Sequence, residues 1–263
     1  MFIRHADAEF FTVAFGSGPR TFLAQGGWAG SWELWAGPFT TLSKTWRTIG
    51  YDHRGAGATV SPPESITMET LVADVFAILD ALKVTTCVLA AESAGAAVAI
   101  QAALQQPQRF EGLVLVDGLY YRAAPNGPDP FAESLKADFD ATIGWFVDAC
   151  VPEPDSAAIR RWGRQILARS TPPAALRLLE CMYGVDLRPQ VTRITQPTLI
   201  LHGDRDSLVP LSDSEWLAAQ IPQSHLHVLR GAGHVPTVTR PLAVAEAINR
   251  YFDPVIVGQQ HVK

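Results

Sequence analysis

Apolar positions along the chain fall into two rhythms. Short, nearly unbroken apolar runs such as Leu113-Val114-Leu115-Val116 and Leu199-Ile200-Leu201 have the character of strands covered on both faces. On this pattern strands are predicted over residues 9–15, 21–25, 46–51, 86–90, 112–116, 198–202 and 225–229. Elsewhere the spacing changes to three and four. Leu71, Val72, Val75, Phe76, Ile78, Leu79 and Leu82 form one stripe, which predicts a helix over 68–82 capped by Thr67. Further helices are predicted over 94–106, ending before Pro107, over 211–220, ending before Pro222, and from Pro241 through Phe252. Strands alternating with helices imply crossover units and a mostly parallel sheet. The first run is expected to be antiparallel, because Gly16-Ser17-Gly18-Pro19 reads as a tight turn back.

One stretch breaks the alternation. Residues 119–194 contain helical pieces and loops, including Pro125-Asn126-Gly127-Pro128-Asp129-Pro130, but no convincing strand. The expected organisation is therefore an α/β core over 1–118 and 195–263, with 119–194 as a helical insertion over the strand ends, where open α/β sheets keep ligand crevices. Its aromatics, Tyr120 and Trp145 among them, suggest an apolar pocket, although most must simply pack the insertion on the core.

Composition changes this picture little. The 263 residues are 48% hydrophobic and 18% charged, as in an ordinary globular protein with a sizeable core. A net charge of −5 leaves no basic face for nucleic acid. No apolar run approaches the roughly 18 residues of a membrane helix, and Met1-Phe2-Ile3-Arg4-His5-Ala6-Asp7 lacks the apolar core of a secretory signal. Cys87, Cys150 and Cys181 are far apart and odd in number, which reads as free thiols in a reducing compartment, the cytoplasm. Nothing points to a cofactor, and the oligomeric state is open.

The chemistry concentrates at strand ends. Ala91-Glu92-Ser93-Ala94-Gly95 joins a predicted strand to a predicted helix, the setting in which a serine stands on a sharp turn with the first helical N–H groups beside it. The same residues also suit a plain helix cap at Ser93. A serine hydroxyl needs a base, and the base an orienting partner. Asp204 and Asp206 follow one late strand, and His234 follows the last.

Together these segments resemble the α/β-hydrolase family, over nearly all the chain outside the insertion. Asp52-His53-Arg54-Gly55-Ala56-Gly57 resembles its turn after the fourth strand, and Ala91–Gly95 its nucleophile elbow, with Ala91 in place of a glycine. His202-Gly203-Asp204-Arg205-Asp206 resembles its acid loop, and Gly231-Ala232-Gly233-His234 its histidine loop. The order Ser, Asp, His is also the family's. The resemblance implies a mostly parallel eight-stranded sheet flanked by helices, with a helical cap after strand 6. It implies Ser93 as nucleophile, His234 as general base, and Asp206, in preference to Asp204, as the orienting acid. Asp117 is a second candidate acid, though a turn or cap carboxylate is the plainer reading. The oxyanion hole would be the backbone N–H groups of Trp28 and Ala94, in a loop where Gly26 replaces the family's frequent histidine. Gly27, Trp28, Tyr120 and Trp145 are candidate pocket residues.

The implied activity is cleavage of a carboxylic ester, lactone or similar acyl bond of a small, largely apolar substrate through an acyl-enzyme, without a cofactor. The family also includes cofactor-free oxygenases, carbon–carbon hydrolases, lyases, haloperoxidases and small-molecule receptors, which remain alternatives. His53, His202, His225 and His227 read as strand-end or surface residues rather than metal ligands, Arg54 as half of a salt bridge, and Glu92 has no assigned role.

Overall fold

The computed structural model describes residues 1–252. Eight strands form one sheet: β1 (Phe2–His5), β2 (Ala8–Phe15), β3 (Arg20–Gln25), β4 (Trp46–Tyr51), β5 (Cys87–Glu92), β6 (Phe110–Val116), β7 (Thr198–Gly203) and β8 (Ser224–Leu229). Their order is β1-β2-β4-β3-β5-β6-β7-β8. From β4 to β8 the neighbours run parallel, whereas β2 pairs antiparallel with both β1 and β4. The expected turn at Gly16 therefore does not make a β2–β3 hairpin: β4 lies between them. The pattern also gave no sign of β1, whose four residues bury only Ile3.

The helices are α1 (Ala36–Leu42), α2 (Met68–Ala81), α3 (Gly95–Gln105), α4 (Pro130–Ala137), α5 (Phe139–Cys150), α6 (Ala157–Leu167), α7 (Pro172–Glu180), α8 (Leu211–Gln220), α9 (Pro236–Thr239) and α10 (Pro241–Phe252). Thr67 caps α2 in a reciprocal pair with Thr70. Successive side chains leave opposite faces of a strand, and both faces of this sheet are apolar. Leu89, Leu113, Leu115 and Ile200 meet α2 and α3 on one side, while Val88, Val114, Leu199 and Leu201 meet α1 and α10 on the other. That double cover explains the unbroken apolar runs.

Between β6 and β7 the chain builds α4 to α7 and no strand of the sheet, as the loss of rhythm predicted. This segment touches the strand ends at several points. The Trp28 indole N–H donates to Ala175 O at 2.9 Å, and its ring packs edge-on against Phe131 and Phe146 at 5.2 and 5.1 Å. Arg54 is buried and pairs with Asp74 at 2.7 Å and Asp7 at 2.5 Å, the structural salt bridge expected of it. The three cysteines are free thiols. No helix among the described residues is long and apolar enough to cross a membrane.

Candidate active site

Ser93 stands between β5 and α3 with φ of +48°, in the left-handed region that a residue with a Cβ seldom adopts. The backbone around it is tied down: Ser93 N–H donates to Val116 O, and Ser93 O accepts from Ala96 and Leu119 N–H. The helix cap residue is Ala94, with no side-chain cap bond, so the hydroxyl of Ser93 is not spent on capping.

His234 follows β8 and is 3% exposed. Its Nε2 lies 2.9 Å from Ser93 Oγ and its Nδ1 lies 2.7 Å from Asp206 Oδ2. An ionised carboxylate only accepts, so Nδ1 carries the proton and Nε2 accepts from the serine hydroxyl. Asp206, in the loop after β7, accepts the Leu208 and Val209 N–H groups on its other oxygen at 2.8 and 3.1 Å. Burial works against its charge, but the His234 contact and these two amides hold its carboxyl below the usual carboxylate range. Asp204 instead accepts from Gly231 N–H.

Asp117, at the end of β6, is fully buried, and its Oδ1 accepts from Gly203 N–H at 2.9 Å. Burial and the neighbouring Asp206 charge push its carboxyl well above the usual range. Asp117, Asp206 and His234 bring ligand-type atoms within 4.8 Å of one another; Asp206 and His234 bond each other, whereas Asp117 Oδ2 has no partner among the described residues.

The loop after β3 passes against the elbow. A Cβ on Gly27 would sit 2.9 Å from Ser93 Cβ, so only glycine permits this approach. The next residue is Trp28, and neither its N–H nor that of Ala94 has an acceptor among the described residues. Where a histidine on the loop is replaced by Gly26, His53 reaches over from the turn after β4. Its Nε2 lies 2.9 Å from Gly27 O. His53 and His202 both lie at strand ends and are buried.

Two cavities meet at Ser93 and His234: one of about 60 Å³ and one of about 220 Å³. Trp28 and Phe146 also line both. Gly27 lines the smaller, while Trp145 lines the larger although it is 60% exposed. Tyr120 reaches neither. It is buried against α8, stacked on Trp216, with its hydroxyl donating to Asp213 O. The sequence analysis gave no role to Glu92, a carboxylate closing an otherwise apolar strand, or to His53, in the turn after β4.

A family model described as "Serine aminopeptidase, S33" matches residues 42–238. The pimeloyl-(acyl-carrier protein) methyl ester esterase of Nitrosomonas europaea is 30% identical over 241 residues, covering 86% of this chain and 92% of that protein. A hydrolase from Pseudomonas aeruginosa superimposes with a TM-score of 0.86 at 27% identity, covering 96% of this chain and 98% of its own. An esterase from Exiguobacterium antarcticum has the same fold, with a TM-score of 0.88 at 22% identity, covering 95% and 98%. With a family model matching most of its length and a full-length relative of this similarity, the chain belongs to the serine aminopeptidase S33 family of α/β-hydrolases and is a hydrolase.

Proposed function

We propose that the chain is a serine esterase that cleaves a small, largely apolar carboxylic ester or lactone through an acyl-enzyme on Ser93. The observation that carries this reading is the unbroken hydrogen-bond chain Asp206–His234–Ser93, at 2.7 and 2.9 Å. Ser93 Oγ attacks the ester carbonyl carbon as its proton passes to His234 Nε2. Asp206 holds Nδ1–H and so both orients the ring and stabilises the imidazolium that forms. The carbonyl oxygen becomes an oxyanion facing the N–H groups of Trp28 and Ala94, at the positive end of α3. Collapse of this intermediate expels the alcohol, which takes its proton from Nε2. A water then gives a proton to Nε2 and attacks the acyl carbon, and the acid leaves as Ser93 recovers its hydrogen.

The two cavities support an ester with one short and one longer arm, since the nucleophile lies where they join. Their aromatic and aliphatic walls favour apolar arms. The pimeloyl ester esterase acts on a methyl ester by its name, and a methyl group is one arm that the smaller cavity accommodates.

The test is labelling by a fluorophosphonate probe, with the modified peptide mapped, alongside hydrolysis of p-nitrophenyl esters. Ser93→Ala and His234→Ala are each expected to lower kcat on the order of 10⁴-fold or more, with little change in melting temperature. Ester turnover by Ser93→Ala at the wild-type rate overturns the assignment.

A further inference from the structure

His202, the penultimate residue of β7, is fully buried and stands four residues before Asp206. Its Nε2 lies 3.1 Å from Val209 O, and its Nδ1 lies 2.8 Å from Ser214 Oγ on α8. A carbonyl oxygen can only accept, so Nε2 carries the ring proton and Nδ1 accepts from the Ser214 hydroxyl. A neutral ring thus satisfies both nitrogens, in the tautomer opposite to that of His234. Burial, the main cause, holds the imidazole below the usual histidine range, against the pull of the Asp206 carboxylate and the Val209 carbonyl; His234 and Asp213 act more weakly. Asp117 Oδ1, from the end of β6, is 3.6 Å from Nδ1.

The bond to Val209 reaches the serine's relay. Leu208 and Val209 N–H both donate to Asp206 Oδ1, while Asp206 Oδ2 accepts from His234 Nδ1. Val209 is therefore gripped on both sides, its N–H by Asp206 and its carbonyl by His202. It is buried, and no backbone N–H donates to its carbonyl among the described residues. Without His202 that carbonyl would lose its donor inside the fold, and the short segment 206–209 would have to turn to find another. The His202 Nε2–H also stands 3.7 Å from Asp206 Oδ2, too far for a hydrogen bond but close enough for its positive end to favour the carboxylate.

We propose that His202 is a positioning residue for ester cleavage: by holding Val209 it keeps two amides on Asp206 Oδ1 and aims Asp206 Oδ2 at His234 Nδ1. The proposal rests on the reading of Ser93, His234 and Asp206 as the reacting group.

Three variants of the full chain separate this role from simple packing. In His202→Gln the amide nitrogen falls near the place of Nε2 and keeps a donor for Val209 O. In His202→Asn the side-chain oxygen falls near Nδ1 and keeps an acceptor for Ser214, but nothing reaches Val209. His202→Phe keeps the ring and neither bond. The measurements are kcat/KM for p-nitrophenyl butyrate against pH, the far-downfield proton resonance of His234 Nδ1–H, and the melting temperature. A carboxylate beside an imidazole favours the imidazolium, so a displaced Asp206 lowers the pKa of His234 and moves the acid limb of kcat/KM to lower pH. In His202→Asn and His202→Phe the plateau is expected to fall on the order of 10- to 100-fold. The limb should move down by about one pH unit, and the downfield resonance should disappear. His202→Gln should keep the limb and the resonance, with kcat/KM within about threefold of the wild type. A merely structural His202 would lower melting temperatures and leave the limb in place. Should His202→Phe fail to fold, the contrast between Asn and Gln decides. An unmoved limb and resonance in His202→Asn overturn the proposal, as does a Gln variant no better than Asn. Absence of both ester turnover and fluorophosphonate labelling in the wild type overturns the esterase reading, and this assignment with it; an active wild type whose variants share its pH profile overturns this assignment alone.

Discussion

Ser93 holds a φ of +48° at a cost of order 1 kcal/mol, and the bonds through its own N–H and carbonyl keep it there. His53 is the less visible participant. It braces Gly27 O, one peptide before the Trp28 N–H that is proposed to meet the oxyanion. A donor that acts on developing charge matters in the transition state more than in the bound substrate. His53→Ala is therefore expected to lower kcat for ester hydrolysis about tenfold, with KM within a factor of two. Steady-state kinetics check this, and an unchanged kcat would remove His53 from the machinery. His53 stood in a recognisable turn, Asp52–Gly57, but the direction of its ring depends on the β3 loop lying alongside.

At the scale of elements, the three side chains proposed to react come from three loops at one edge of the sheet, after β5, β7 and β8. The β7 and β8 loops are packed without slack. A Cβ on Gly203 would lie 2.2 Å from Gly233 O and 2.5 Å from Ala232 O, and backbone atoms cannot yield as a side chain would. Gly203→Ala should displace the histidine loop. The expected result is a melting temperature lower by several degrees and kcat/KM reduced on the order of 100-fold, with calorimetry and kinetics as the readouts. Wild-type values would mean that the loop tolerates movement. The helical segment after β6 holds the same loop from the other side: Cys150 O accepts from His234 N–H, and Glu153 Oε1 accepts from Gly233 N–H, both at 2.9 Å. The boundaries of α2, α8 and α10 were legible because their capping and stop residues act locally. β1 was not, because four residues with one buried position carry no period. The place of β4 between β2 and β3 depends on long-range pairing that no short window contains.

For the whole molecule, buried acids tie stability to pH. The folded state holds the Glu92 proton up to about 8, against an ordinary 4.5 in an unfolded chain. Between those values the native protein binds more protons than the unfolded chain, so this group makes stability fall as pH rises and has no further effect above about 8. Each pH unit of that interval weighs about 1.4 kcal/mol. Asp206 acts in the opposite sense: its lowered folded value contributes stability above about 4 that is lost as pH falls further. Subtracting the denaturant-unfolding free energies of the wild type from those of Glu92→Gln isolates the first effect. The variant's advantage is expected to grow from pH 5 to 8 and then level off. A difference that stays flat across this range would show that Glu92 ionises normally in the native protein.

The order and spacing of apolar residues by themselves determined the alternating α/β architecture, its helical interruption after β6 and the loops that carry Ser93, Asp206 and His234, because period, turn chemistry and capping are encoded within a few neighbouring residues. The predicted core range beyond residue 252 lies outside the described residues. Only the tertiary structure decided that Tyr120 packs on α8 instead of the pocket, that Trp28 lines both cavities, and that His53 reaches the carbonyl of Gly27. It likewise decided the state of Glu92, since burial and an empty hydrogen-bond site belong to whatever packs around a side chain and not to the side chain itself.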